Sequence, residues 1–207
     1  MRSPAMELKE ALAQISQIRE HMARTEVFRG YRSLTVGLSG ALALAAAVGQ
    51  SFWLPRPLEQ LASYLALWIG VAVISAVVAG GEMWTRARRA RSSVARQMTL
   101  LAVEQFLPSL VAGAVLTAVI VRRAAESAWM LPGLWALCFS LGVFASYRLL
   151  PRPVFWVGVY YLVCGALALA WGQGEAALSP WSMAISFGGG QLLAAAILYF
   201  TLERGSG

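Results

Sequence analysis

Apolar residues fall into six long runs separated by short segments rich in arginine. The runs are Leu34–Leu54, Leu61–Ala79, Met98–Val121, Trp129–Tyr147, Val154–Gly172 and Pro180–Leu202. At 1.5 Å of rise per residue, each is long enough to cross a hydrocarbon core of about 30 Å as a helix. Continuous Ala, Leu and Val without period-two alternation exclude a β-barrel. Runs this long and this numerous exceed what the core of a soluble α bundle could hide. The pattern predicts an all-α fold, a polytopic membrane helix bundle with six transmembrane helices.

Ahead of the first run lies a different periodicity. Ser3 can cap a helix that has Pro4 at its first position, where a proline costs nothing. Leu8, Ile15 and Met22 then recur every seven residues, with Ile18 on the same side and charged residues on the others. This predicts an N-terminal cytoplasmic amphipathic helix of about six turns. Two readings stay open: a helix packed under the bundle or lying on the membrane, and a helix that docks a protein partner or a second copy. The expected organisation is a cytoplasmic helix and approach segment over 1–33, a transmembrane domain over 34–202 and a short cytoplasmic tail over 203–207.

Charge sets the orientation. Sixteen of the 17 basic residues are arginine. With the N-terminus inside, fourteen basic residues fall on the cytoplasmic side and only Arg56, Arg122 and Arg123 fall outside. This is the bias of the positive-inside rule, and it puts both ends in the cytoplasm. Trp53, Trp84, Trp129, Trp156 and Trp181 sit near run ends, as interfacial belts require. The net charge of +7 is then topogenic rather than a sign of nucleic-acid binding. Arg86, Arg88, Arg89 and Arg91 are candidate contacts for anionic lipid.

Composition narrows the chemistry. The chain has 207 residues, 58% of them hydrophobic, which leaves no room for a second globular domain. Its mean hydropathy is +0.63. It carries one histidine and no aspartate, and none of the common nucleophile, zinc or phosphate-loop motifs. No enzyme, no cofactor and no metal site is expected. Cys138 and Cys164 fall near the middle of the fourth and fifth runs and read as small packing residues.

A few residues inside the runs could carry function. Glu104 is read as the only acid within an apolar run, and an intramembrane carboxylate is a functional hypothesis by default. A shift of one turn would instead leave it at the headgroups. Pro108 removes a backbone hydrogen bond one turn later, and Gln105 adds an amide. In the sixth run, Phe187-Gly-Gly-Gly-Gln191 places three helix-weakening glycines beside an amide. Glu104, Gln105, Pro108, Gly189 and Gln191 form the candidate intramembrane polar site, with Tyr160 and Tyr161 as neighbours. Close helix packing is the alternative use of the glycines. Small residues four apart at Gly37, Ala41, Ala45 and Gly49 predict a strip for close helix approach on the first span, used for packing inside the bundle or, as the alternative, for a dimer interface.

Several segments carry a resemblance. They are Arg24-Thr-Glu-Val-Phe-Arg-Gly-Tyr-Arg-Ser-Leu-Thr-Val-Gly-Leu-Ser-Gly40, Gln105-Phe-Leu-Pro-Ser-Leu-Val-Ala-Gly113, Trp135-Ala-Leu-Cys-Phe-Ser-Leu-Gly142 and Phe187-Gly-Gly-Gly-Gln191. Together they resemble a family of small bacterial six-span membrane proteins of unassigned function with a short N-terminal amphipathic helix. The resemblance implies a bacterial inner-membrane protein and carries over no activity or site residues. The expected function is that of an accessory or scaffold subunit, non-enzymatic, docking a partner through Leu8, Ile15, Ile18 and Met22. The alternative is a small proton-coupled transporter or channel using Glu104.

Overall fold

The structure is a computed structural model that describes residues 33–89 and 93–203. The expected N-terminal helix, with Leu8, Ile15, Ile18 and Met22, lies outside the described residues, as do Arg91 and the side chains of Arg86 and Arg89. Helices account for the architecture, and there is no strand among the described residues. They are α1 (Ser33–Trp53), α2 (Leu61–Arg89), α3 (Ser93–Arg123), α4 (Leu131–Ser146), α5 (Phe155–Trp171), α6 (Gly174–Ala177), α7 (Pro180–Met183) and α8 (Gly190–Leu198). A π-helical segment, Ala184–Gly189, joins α7 to α8, and a second one, Tyr199–Glu203, follows α8.

Six stretches are long and apolar enough to cross a membrane. They are Ser33–Trp53, Leu61–Thr85, Leu100–Arg123, Ala125–Leu149, Arg152–Trp171 and Gly174–Thr201. The chain is thus a multi-pass membrane helix bundle. One boundary corrects the sequence reading. The second span continues to Thr85 and takes in Glu82, so Glu104 is not the only acid within a span. Gly80 and Gly81 interrupt the apolar run, but two glycines do not end a helix whose backbone bonds need internal partners.

Local chemistry explains the breaks. Pro55 and Pro57 stop α1, because the residue before a proline is pushed out of the helical region. Pro132 and Pro180 stand in the first turns of α4 and α7, where the missing N–H goes unused. Gly174 adopts φ +55°, a left-handed conformation that only glycine takes without strain, and turns the chain between α5 and α6.

Two clusters of buried side chains share the interior. One gathers Val36, Ala136, Val143, Val154, Val157, Tyr161, Ala195 and Leu198. The other gathers Ala43, Ala46, Ala47, Tyr64, Trp68, Leu178, Met183 and Ala184. Phe187, in the π segment, packs against both. Burial is uneven: 50% of the fourth span is buried inside the bundle, against 11% of the second and 6% of the third.

On α1 the buried line is Val36, Gly40, Ala43, Ala47 and Gln50, while Ala41 and Ala45 are exposed. The strip expected at Gly37, Ala41, Ala45 and Gly49 is therefore not the main face packed inside the bundle, although a Cβ on Gly37 would stand 3.6 Å from Ala195. A strict spacing of four drifts around a helix of 3.6 residues per turn, whereas steps of three and four keep to one side. The close approach is at Gly40, where a Cβ would lie 3.2 Å from the Gly188 carbonyl oxygen.

Candidate functional site

Where α4 and α5 cross, two glycines stand in for side chains. A Cβ on Gly165 would meet the Gly133 carbonyl oxygen at 2.9 Å, and one on Gly133 would meet the Gly165 carbonyl oxygen at 3.0 Å. Gly142 receives the Phe106 ring of α3, and Gly158 receives the Phe144 ring. The triple glycine of span six works the same way with three different guests. Gly188 faces Leu44 of α1, Gly189 faces the Tyr160 hydroxyl, and Gly190 faces the Tyr161 ring. Each glycine removes a Cβ that would stand 2.8 Å or less from its guest. Of the two uses foreseen for these glycines, close packing is the one visible here.

Two of these guests, Phe106 and Tyr161, join Phe139 and Phe187 in an aromatic centre. Phe139 lies edge-on to Phe106 at 4.9 Å and to Phe187 at 5.8 Å between ring centroids, and Tyr161 packs on Phe139 at 4.6 Å. Edge and tilted geometries let the positive rim of one ring meet the negative face of another. Four rings from α3, α4, α5 and the π segment thus fill the middle of the bundle.

Polar side chains within the spans are mostly tied in small sets. Toward one end of the bundle, Gln50 is fully buried and donates through Nε2 to the Leu178 carbonyl oxygen at 2.8 Å. Its Oε1 accepts from the Trp68 indole N–H, also at 2.8 Å. The Tyr64 hydroxyl is buried one turn from Trp68 and has no hydrogen-bond partner. Trp135 donates its indole N–H to Thr117, whose hydroxyl in turn donates to the Gly113 carbonyl. Ser140 donates across to the Gly158 carbonyl at 2.8 Å. Beside the wide π turn, the Tyr160 hydroxyl donates to the Ile185 carbonyl oxygen at 2.7 Å. That bond satisfies an acceptor which the altered helical pitch would otherwise leave in an apolar setting.

Toward the other end, the Thr35 hydroxyl donates to Glu82 across the α1–α2 contact. Ser39 reaches the Gln191 side-chain oxygen at 3.3 Å.

The five residues of the expected polar site divide between two places. Glu104, Gln105 and Pro108 are exposed on α3, which runs unbroken through Pro108. Gly189 and Gln191 lie on the side of span six that meets α5 and α1. Among the described residues, no hydrogen bond joins the two sets. The α3 helix also fixes the depth of Glu104. Eighteen residues separate it from Arg122, about 27 Å of rise, so with Arg122 at one surface Glu104 lies within about a turn of the other. Of the candidate lipid contacts, Arg88 is exposed and its guanidinium lies 4.7 Å from the centre of the Trp84 ring.

Sequence reading missed Gln50, Trp68 and Glu82. The available signal was an amide and a carboxylate inside α1 and α2, at positions that share a helix face with small or aromatic residues. Both cysteines are free. Among the described residues, no group of three or more His, Cys, Asp or Glu side chains could hold a metal ion.

The fold and these contacts define a multi-pass helical membrane protein. No protein-family model, curated protein or solved structure matches the chain.

Proposed function

We propose that the protein is a non-enzymatic accessory or scaffold subunit of the bacterial inner membrane. Both termini face the cytoplasm, and residues 1–24 form the helix that docks a partner. The observation that supports this reading best is the aromatic centre of Phe106, Phe139, Tyr161 and Phe187. A carrier needs convergent polar groups near mid-depth. Here Phe139, Tyr161 and Phe187 occupy that level, and Ser140 and Tyr160 beside them donate to backbone carbonyls. The exposure of Glu104 on α3 counts in the same direction, because a proton-coupled site needs its carboxyl in a closed interior.

The test is a mild-detergent affinity purification of the full chain beside one lacking residues 1–24. A stoichiometric partner, lost on truncation and lost again when Leu8, Ile15 and Met22 are changed to Ser, is the expected result. Recovery of both forms alone would overturn the scaffold reading. So would a pH-dependent flux abolished by Glu104→Gln, which belongs to the carrier.

A further inference from the structure

On α2 one face is turned to the bundle and another is left open. Tyr64 and Trp68 pack inward, and Glu82 meets Thr35 of α1. A second stripe, Gly70, Ile74, Val77, Gly81, Trp84 and Arg88, follows steps of four and three along a different side of the same helix. Ile74, Val77 and Trp84 in it are all about half exposed or more. A Cβ at Gly70, at Gly80 or at Gly81 would meet nothing within 4 Å. Glycine weakens a helix interior, and the glycines of α4, α5 and span six offset that by receiving a neighbour. These three receive none from the described residues.

The stripe ends at a defined depth. From Leu61, Trp84 lies about 35 Å along the helix and the Cα of Arg88 about 40 Å, against a hydrocarbon core of about 30 Å. A side chain on a helix leans toward the N-terminal end, here back toward the membrane. Arg88 does so, and its guanidinium stacks over the Trp84 ring at 4.7 Å. The cation is thereby held at headgroup level, on the same side of the helix as the open space over Gly81.

We propose that this face of α2 is a phospholipid site, which takes an acyl chain along the groove over Gly81 and an anionic headgroup phosphate on the Arg88–Trp84 pair. Charge decides for a lipid over a second copy or a partner helix. A guanidinium fork matches a phosphate, and leaflet phosphates already lie at this depth. A protein occupant would have to bring its own anion to the same level. The inference needs only that the chain spans a membrane, and stands apart from the scaffold reading.

Native mass spectrometry of the full-length chain, titrated in mild detergent with palmitoyl-oleoyl phosphatidylglycerol or the matching phosphatidylcholine, tests it. The first phosphatidylglycerol should bind about tenfold tighter than phosphatidylcholine, and Arg88→Gln should erase that preference. Gly81→Leu, which fills the groove, should weaken both lipids. Arg122→Gln, an equal loss of charge at the far end of α3, should leave the preference intact. An unchanged preference in Arg88→Gln would overturn the site, and so would an equal loss in Arg122→Gln, which would reduce the effect to net charge. A dimer broken by Gly81→Leu with unaltered lipid binding would give the face to a second copy instead.

Discussion

The α4–α5 crossing and the open face of α2 use the same residue types in opposite ways. Glycines at 133 and 165 bring two backbones so close that each blocks a Cβ on the other. Glycines at 80 and 81 face open space on a helix with 11% of its span buried. In the first region glycine is a contact; in the second it is a gap that no described residue fills. Both regions are apolar, so hydrophobicity cannot tell them apart, and packing geometry has to. What the comparison teaches is that a membrane glycine is read by its guest.

The largest expected effect comes from filling a contact. Gly165→Leu would place side-chain atoms against the Gly133 carbonyl and force α4 and α5 apart. A loss of about 3 kcal/mol is expected, read as a lowered midpoint in denaturant unfolding of the purified protein. A midpoint equal to wild type would break the distinction at its stronger end.

Next comes Gln50→Leu, in the buried set that joins α1, α2 and the turn before α7. It strands both the Trp68 indole N–H and the Leu178 carbonyl. A cost of about 2 kcal/mol follows from leaving buried groups unpaired, and the same unfolding assay measures it. Trp68→Phe in the Gln50→Leu background should cost less than it does alone, since the two residues share a bond.

The smallest effect has the opposite sign. Gly81→Ala adds a methyl where nothing stands within 4 Å and removes a helix-weakening residue. A gain of about 0.5–1 kcal/mol is expected in detergent. A loss there would place an unseen neighbour of the chain itself on that face and would end the comparison.

The six crossings were legible because a helix in lipid must be apolar along about twenty residues, and that requirement is written in one dimension. The partners of those helices were not. Gly37, Ala41, Ala45 and Gly49 obey a plausible spacing, yet the buried line on α1 runs through Val36, Gly40, Ala43, Ala47 and Gln50. The facing direction of an apolar helix depends on neighbours, and amphipathic contrast vanishes when both lipid and core are apolar. The polar candidates divided for the same reason. Glu104 and Gln191 look like mid-membrane polar groups in sequence, but the first is exposed on α3 and the second touches Ser39. Gln50 was overlooked because an amide in an Ala-rich run gives no sign of the indole and carbonyl it meets from 18 and 128 residues away.

The triple glycine of span six also bears on how the chain is made. Its guests are Leu44 from the first span and Tyr160 and Tyr161 from the fifth. Ser39 and Gln191, which close the same seam, are 152 residues apart. Spans leave the ribosome in order, so the first helix resides in the bilayer through the synthesis of four others before its receptor exists. The last span is a clasp: until residues 188–190 emerge, the two ends of the bundle stay unjoined, and a chain stalled before them offers Leu44, Tyr160 and Tyr161 to lipid or to the quality-control machinery.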